Sequence, residues 1–233
     1  MGFTIGGSRV VREIRPGGPP GRKPGGARRR GRTTECTAVA EYTGLWGWDV
    51  VPGARASAGR CSCGEASCAA PGAHPLGFAP EVRAGATLDD VTRAWAEVPG
   101  ASVLLPVGRA FDVLDVALTA GRHALVRLER MGLPLGPVCA TPTGRAQFFV
   151  APGAASGLPG LLYRMGWDDA DLDLHCLSTG SFITAPPSDH GGLGPVHWLR
   201  PPSLNITATM TTPPEARLLL GTLAYVCHRS AVV

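Results

Sequence analysis

The 233-residue sequence contains a single lysine, Lys23, among its 22 cationic side chains; the other 21 are arginine. Only 17% of the residues are charged and 6% aromatic. Apolar runs are short, as at Val103-Leu104-Leu105, which excludes a membrane span of about 20 residues. The first residues are polar and glycine-rich with no apolar core, so no secretory signal is expected. No GxxxxGK[ST] stretch occurs, which removes the P-loop type of nucleotide site. The seven cysteines (Cys36, Cys61, Cys63, Cys68, Cys139, Cys176 and Cys227) are odd in number and follow no signal. That argues against a disulfide framework and for a cytoplasmic protein in which some thiols bind metal and the rest are buried.

A hydrophobic share of 44% and a mean hydropathy of +0.09 specify a folded chain long enough to bury a core. With 32 Gly and 22 Pro, nearly twice the usual share, short elements and many turns are expected. The net charge of +4 is unevenly placed. Residues 1–32 carry eight Arg and Lys23 against Glu13, a net +8, which leaves −4 for residues 33–233. The arginine bias, with abundant Ala, Gly and Pro, points to a GC-rich bacterial genome.

Ten of the sixteen residues 16–31 are Gly or Pro, so residues 1–32 are read as a basic, disordered tail and the domain as 33–233. Val39, Tyr42 and Trp46 have helical spacing. A strand from Trp48 to Val51 should stop at Pro52-Gly53, and residues 53–86 read as a loop. Thr87 and Asp90 form a capping box opening a helix to Val98. Strands at 102–106 and 111–116, a helix at 119–131, strands at 137–141 and 146–150, a short helix from Leu158 to Met165, and strands at 171–176, 181–185 and 196–199 follow. A last helix spans 213–228, its Leu218, Leu219, Leu223 and Val226 read as core. The pattern is α+β, with a mixed or antiparallel sheet flanked by helices.

Cys61, Cys63, Cys68 and His74 place three thiols and an imidazole within 14 residues, a set that can surround one tetrahedral zinc ion. Four protein ligands leave no open position, so the role is structural. The alternative is unconnected thiols or an oxidised pair.

The order of motifs from Cys36 to about residue 200 resembles the bacterial bifunctional primase/polymerase N-terminal domain, of the archaeo-eukaryotic primase superfamily. The resemblance rests on LWGWDVVP (45–52), CSCGEASCAAPGAHP (61–75), FDVLDV (111–116), TPTGRAQFFV (141–150), DLH (173–175) and ITAPPSDH (183–190). It implies template-directed nucleotide transfer with two divalent ions held by clustered carboxylates. Asp115 matches the first Asp of an Asp-x-Asp pair and Asp173 the third-motif Asp. The second Asp falls on Ala117, the phosphate-facing His on Gln147, and a Lys before His-Pro on Ala73. Asp112, three residues from Asp115, points to the other strand face. Asp171 is expected on the same strand face as Asp173, so that these two and Asp115 are the remaining carboxylates for one Mg²⁺ or Mn²⁺ ion, needed only by an active protein.

Two readings of the centre follow: nucleotide or DNA binding on a site whose transfer chemistry is weak or lost, and an active metal-dependent primase/polymerase. A third reading is a zinc-stabilised protein-interaction module. Gln147, Ser188 and His190 are the candidate nucleotide contacts; consecutive Ser188-Asp189-His190 cannot form a hydrolase triad. Asp168 and Asp169 read as a solvated edge, and the five tryptophans as core or rim. Arg28, Arg29, Arg30 and Arg32 suit a phosphate backbone, or simply solubilise the chain. DNA, a nucleotide and a replication protein are the expected partners, with no membrane.

Overall fold

A five-stranded sheet with a large side-chain cluster on each face organises the chain, seen in a computed structural model that describes residues 25–57, 59–167, 170–203 and 212–231, with side chains from 35 to 230. The elements run α1 (Gly25–Gly44), β1 (Val51–Gly53), β2 (Ala56–Ser57), β3 (Arg60–Cys61), α2 (Leu88–Glu97), β4 (Ser102–Pro106), β5 (Asp112–Ala117) and α3 (Leu118–Arg130). They continue through β6 (Val138–Ala140), β7 (Arg145–Val150), α4 (Ala154–Arg164), β8 (Leu174–Leu177), β9 (Phe182–Thr184), β10 (His197–Arg200) and α5 (Ala216–Ala231). The large sheet has the order β10-β6-β7-β5-β8, a second sheet β1-β4-β9, and β2-β3 form a hairpin. Every ladder among the described residues is antiparallel. The α+β expectation holds.

β5 lies between β7 and β8, and its alternation sorts the core. Leu114 and Val116 join Ala146 and Phe148 of β7 under α3, α4 and α5. Val113 joins Phe149, Phe111, Trp48 and Trp95 on the other face, towards the small sheet. The rings there touch in series: Phe111 lies 4.4 Å from Phe149, and Trp48 5.2 and 5.4 Å from the two. Trp48 and Trp95 are thus core, as expected.

Several boundaries differ from the sequence expectation. α1 begins at Gly25, inside the segment read as helix-free. The last proline of that segment is Pro24, and Ala27-Arg28-Arg29-Arg30 are good helix formers. The side chains of Arg28, Arg29, Arg30 and Arg32 lie outside the described residues, as do residues 1–24, Asp168 and Asp169. Pro52 sits inside β1 opposite Val103 rather than ending a strand; β1 is an edge strand, where a missing N–H costs no ladder bond. The loop at 53–86 contains the β2–β3 hairpin. Pro213, Pro214 and Glu215 precede α5 rather than opening it. The Thr87 box forms as read, with the Thr87 side chain accepting from Asp90 N–H and the Asp90 carboxylate accepting from Thr87 N–H.

Gly121 lets α3 lie close on β7. A Cβ there would land on the Ala146 methyl and crowd Val116 and Phe148. In an open helix, Gly→Ala stabilises by about 1 kcal/mol. Here Gly121→Ala should destabilise by about 1–3 kcal/mol through overpacking. Urea unfolding at equilibrium measures it, and the sign alone decides.

A candidate catalytic centre closed by an arginine, and a candidate zinc knuckle

Asp115 sits in the middle of β5 with Gln147 of β7 on one side and His175 of β8 on the other. Cys139 of β6 faces Gln147 in turn. The four side chains form a row across the sheet, on the face that also carries Val113 and Phe149. Asp115 is 8% exposed.

A carboxylate so buried needs compensation. Gln147 Nε2 donates to Asp115 Oδ2 at 3.0 Å, and Arg145 Nε donates to Oδ1 at 2.6 Å. Arg145 Nη1 also donates to Asp173 Oδ2 at 2.6 Å, so one guanidinium bridges two carboxylates. His175 Nε2 lies 3.4 Å from Asp173 Oδ1. The hydrogen bond from Arg145 holds Asp173 below the usual carboxylate range, against partial burial. The bond to Asp173, with the one to Asp115, pushes Arg145 further up. Cys139, fully buried, donates from Sγ to Gln147 Oε1 at 3.4 Å, and burial pushes its thiol up to about 12.

The expected residues Asp115, Gln147 and Asp173 therefore meet at one place, around a side chain the sequence reading left without a role. Arg145 is the cross-strand partner of Ala117, the position where the second Asp of the pair falls. An alanine there leaves the space a carboxylate would take. The only signal in the sequence was the strand period, which puts Arg145 and Gln147 on one face. Asp171 and Asp173 precede β8 and are not strand neighbours, contrary to the expected shared face.

A divalent ion of the Mg²⁺ or Mn²⁺ type requires free carboxylate oxygens at about 2.0–2.2 Å. Both oxygens of Asp115 already accept from nitrogen donors, and Asp173 is tied to the same guanidinium. These residues do not fit the ion pair that the resemblance implies. Asp112 faces away from Asp115, with Oδ2 accepting from Ala155 N–H near the start of α4 at 3.4 Å.

Ser188 and His190 make other bonds. The buried Ser188 Oγ accepts from Val103 N–H of β4 at 2.8 Å. His190 Nδ1 lies 2.8 Å from Thr184 Oγ1, and burial lowers its pKa. Tyr42 anchors the same stretch by donating to Pro186 O.

The cysteine cluster closes as expected. Cys61, Cys63, Cys68 and His74 present ligand atoms all within 4.8 Å of one another, the one such group of three or more among the described residues. Cys61 lies in β3, and the His74 end is bound to the residue after β1 through Ala54 N–H to His74 O at 2.8 Å and to β1 through Leu76 N–H to Pro52 O at 3.0 Å. His74 Nδ1 lies 2.9 Å from Pro75 O, which leaves Nε2 for the metal. Nε2 is 3.3 Å from Cys61 Sγ, which accepts from Gly72 N–H. Burial opposes ionisation of Cys61, but bonds from Cys63, Gly72 and His74 outweigh it and bring the thiol to about 6. This donor set fits a structural Zn²⁺. A small core of Ala54, Leu76, Val98 and Ala101 lies beneath it.

Two outcomes are expected. Purified protein should carry about one equivalent of zinc, and stripping it with a strong chelator should lower Tm by about 5 °C or more, read by calorimetry; equal stability without metal would exclude the site. Arg145→Ala should cost about 2 kcal/mol at pH 7, because it leaves Asp115 buried against a neutral amide. Asp173's pKa is depressed, so the Asp173–Arg145 contribution is complete above about pH 4 and lost as pH falls through the depressed value. The gap between wild type and Arg145→Ala should therefore shrink under acid, as urea titrations at pH 7 and pH 3 would show.

No described helix is long and apolar enough to cross a membrane. No curated protein and no solved structure gave a significant match to the chain. The family model described as bifunctional DNA primase/polymerase, N-terminal, matches residues 39–216, about three quarters of the sequence. That span contains the row on β6, β7, β5 and β8 and the cysteine cluster, and the chain belongs to this family of bifunctional DNA primase/polymerase N-terminal domains.

Proposed function

We propose that this protein is a primase/polymerase domain that binds nucleic acid or nucleotide while its nucleotidyl-transfer activity is weak or lost. The observation that carries the reading is the Arg145 guanidinium between Asp115 and Asp173, 2.6 Å from each. An internal monovalent cation stands where the family's chemistry calls for divalent ions. A guanidinium offsets one of the two negative charges and fixes the geometry of both carboxylates, but it is no Lewis acid and lowers no hydroxyl's pKa by coordination. Ala117 removes a ligand, and Gln147, in place of a histidine, spends its amide N–H on Asp115.

Of the proposed nucleotide contacts, Gln147 belongs to the row itself, whereas His190 and Ser188 belong to the Ala185–His190 stretch beside β4 and β9. Zinc holds the knuckle, and Mg²⁺ or Mn²⁺ is required only by an active protein. A bacterial cytoplasm is supported by the odd thiol count and the composition, and a replication protein as partner rests on the family alone.

Primer synthesis and primer extension with Mg²⁺ or Mn²⁺ test the reading. Wild type and Asp115→Ala should both stay at background, and clear Asp115-dependent product would overturn it. Manganese binding followed by electron paramagnetic resonance gives a second readout. Arg145→Ala should bind Mn²⁺ at least about tenfold more tightly than wild type, since it frees carboxylate oxygens and removes a like charge.

A further inference from the structure

The far face of the sheet carries a feature that the closed centre does not use. Leu114, Val116 and Phe148 point away from the Asp115 row into the cluster under α3 and α5. On the outer side of those two helices runs an open groove of about 730 Å³, continued by another of about 490 Å³. Thr119 and His123 lie at one end with Arg229 and Ser230, and Met131 lies at the other with Gly221 and Thr222. The helices are thus antiparallel along it. From Thr119 to Met131 it is about 18 Å long at 1.5 Å per residue.

Its lining contains Arg127, Arg130 and Arg229, and no Asp or Glu. The one acid of α3, Glu129, pairs with Arg200 instead. In a body whose net charge is −4 from residue 33 onward, an acid-free strip with three arginines is a local reversal of sign. Tyr225 lies in the middle, 37% exposed, with the Arg127 guanidinium 5.0 Å above its ring and Arg229 Nη1 donating to its hydroxyl at 3.4 Å. Arg229 and, less strongly, Arg127 hold the phenol below its ordinary pKa, a mark of positive surroundings. Met131 at the end is 55% exposed.

We infer that the α3–α5 groove is a second binding surface for single-stranded nucleic acid, on the side of the sheet opposite the closed centre. Arg127, Arg130 and Arg229 face the phosphates, and Tyr225 and Met131 meet sugars and bases. At 3.4 Å per nucleotide the groove holds about five nucleotides of a stacked strand. The occupant is polyanionic because the lining is cationic. Residues 1–24 of this chain, with five cations and one acid, are repelled by it, and residues 204–211 carry no charge at all. Nucleic acid is favoured over an acidic protein segment because the chain belongs to a DNA primase/polymerase family and its front face is negative around Arg145. The inference deepens the nucleic-acid-binding reading and rests on it.

The test uses the full chain and a fluorescein-labelled (dT)20 oligonucleotide, read by anisotropy from 50 to 200 mM salt. The triple variant Arg127→Glu/Arg130→Glu/Arg229→Glu should bind about 30-fold more weakly or worse at 50 mM. The three-glutamine variant should lower the slope of log K against log salt by about 2. Circular dichroism and Tm report folding, and the glutamine variant keeps the test sound if the glutamate variant unfolds. Four-glutamine replacement of Arg28, Arg29, Arg30 and Arg32 separates their share from the groove's. If wild type binds and the groove variants bind equally well, the groove is not the site, while the nucleic-acid reading stands. If wild type does not bind the oligonucleotide, both fail. If poly-glutamate displaces the oligonucleotide at equal charge concentration, the groove is an acidic-protein site and the inference is overturned.

Discussion

Asp115 lies near the centre of a five-stranded sheet, almost out of reach of water. In that position a carboxylate imposes terms on everything around it, because an unpaired charge there would cost more than a small domain has to spare. The neighbouring strand β7 meets those terms with an amide and a guanidinium, and β5 itself has an alanine at the position facing the arginine. Asp173, at the entry to β8, shares the same guanidinium. Metal-dependent members of such a family can let bound ions balance their acids. Here one guanidinium pairs with both acids, which leaves the three groups a single net negative charge.

This internal pairing changes what the substitutions mean. Ala117 and Gln147, taken singly, read as losses. Beside Arg145 they form a consistent set in which a smaller side chain admits the arginine and a neutral amide satisfies the oxygen the arginine leaves open. The Cys61–His74 cluster, whose donor set fits zinc, stands apart, held to β1 by backbone bonds around His74 and lying over a small core of its own.

Much of the fold was legible because the strands announce themselves by alternation and the helices by their caps. The Thr87–Asp90 box and the DVLDVA strand are examples in which the local chemistry leaves few choices. The boundaries that moved have physical reasons: an edge strand tolerates Pro52, and the proline-rich segment releases its hold at Pro24. The cysteine cluster was legible from spacing alone, since its ligands are close in sequence. Arg145 was not. Its partners are 30 and 28 residues away, and only strand register brings them together. Ser188 was legible only as part of the ITAPPSDH stretch; the bond its hydroxyl accepts from Val103 N–H of β4, 85 residues away, is set by the packing of the strands.

The bond from Tyr42 to Pro186 joins residues 144 positions apart. Tyr42 lies in the first helix, which packs on α2 but whose cluster is complete only once β4, β5, β7 and β9 are in place. Such non-local closure is slow, because the chain gives up loop entropy before the contact rewards it. On a ribosome, the earliest part of this core waits for most of the domain to emerge. The Val39–Trp48 region is therefore exposed longest in the nascent chain, and it is there, rather than at the arginine-sealed centre, that a folding helper or a misfolded contact has its opportunity.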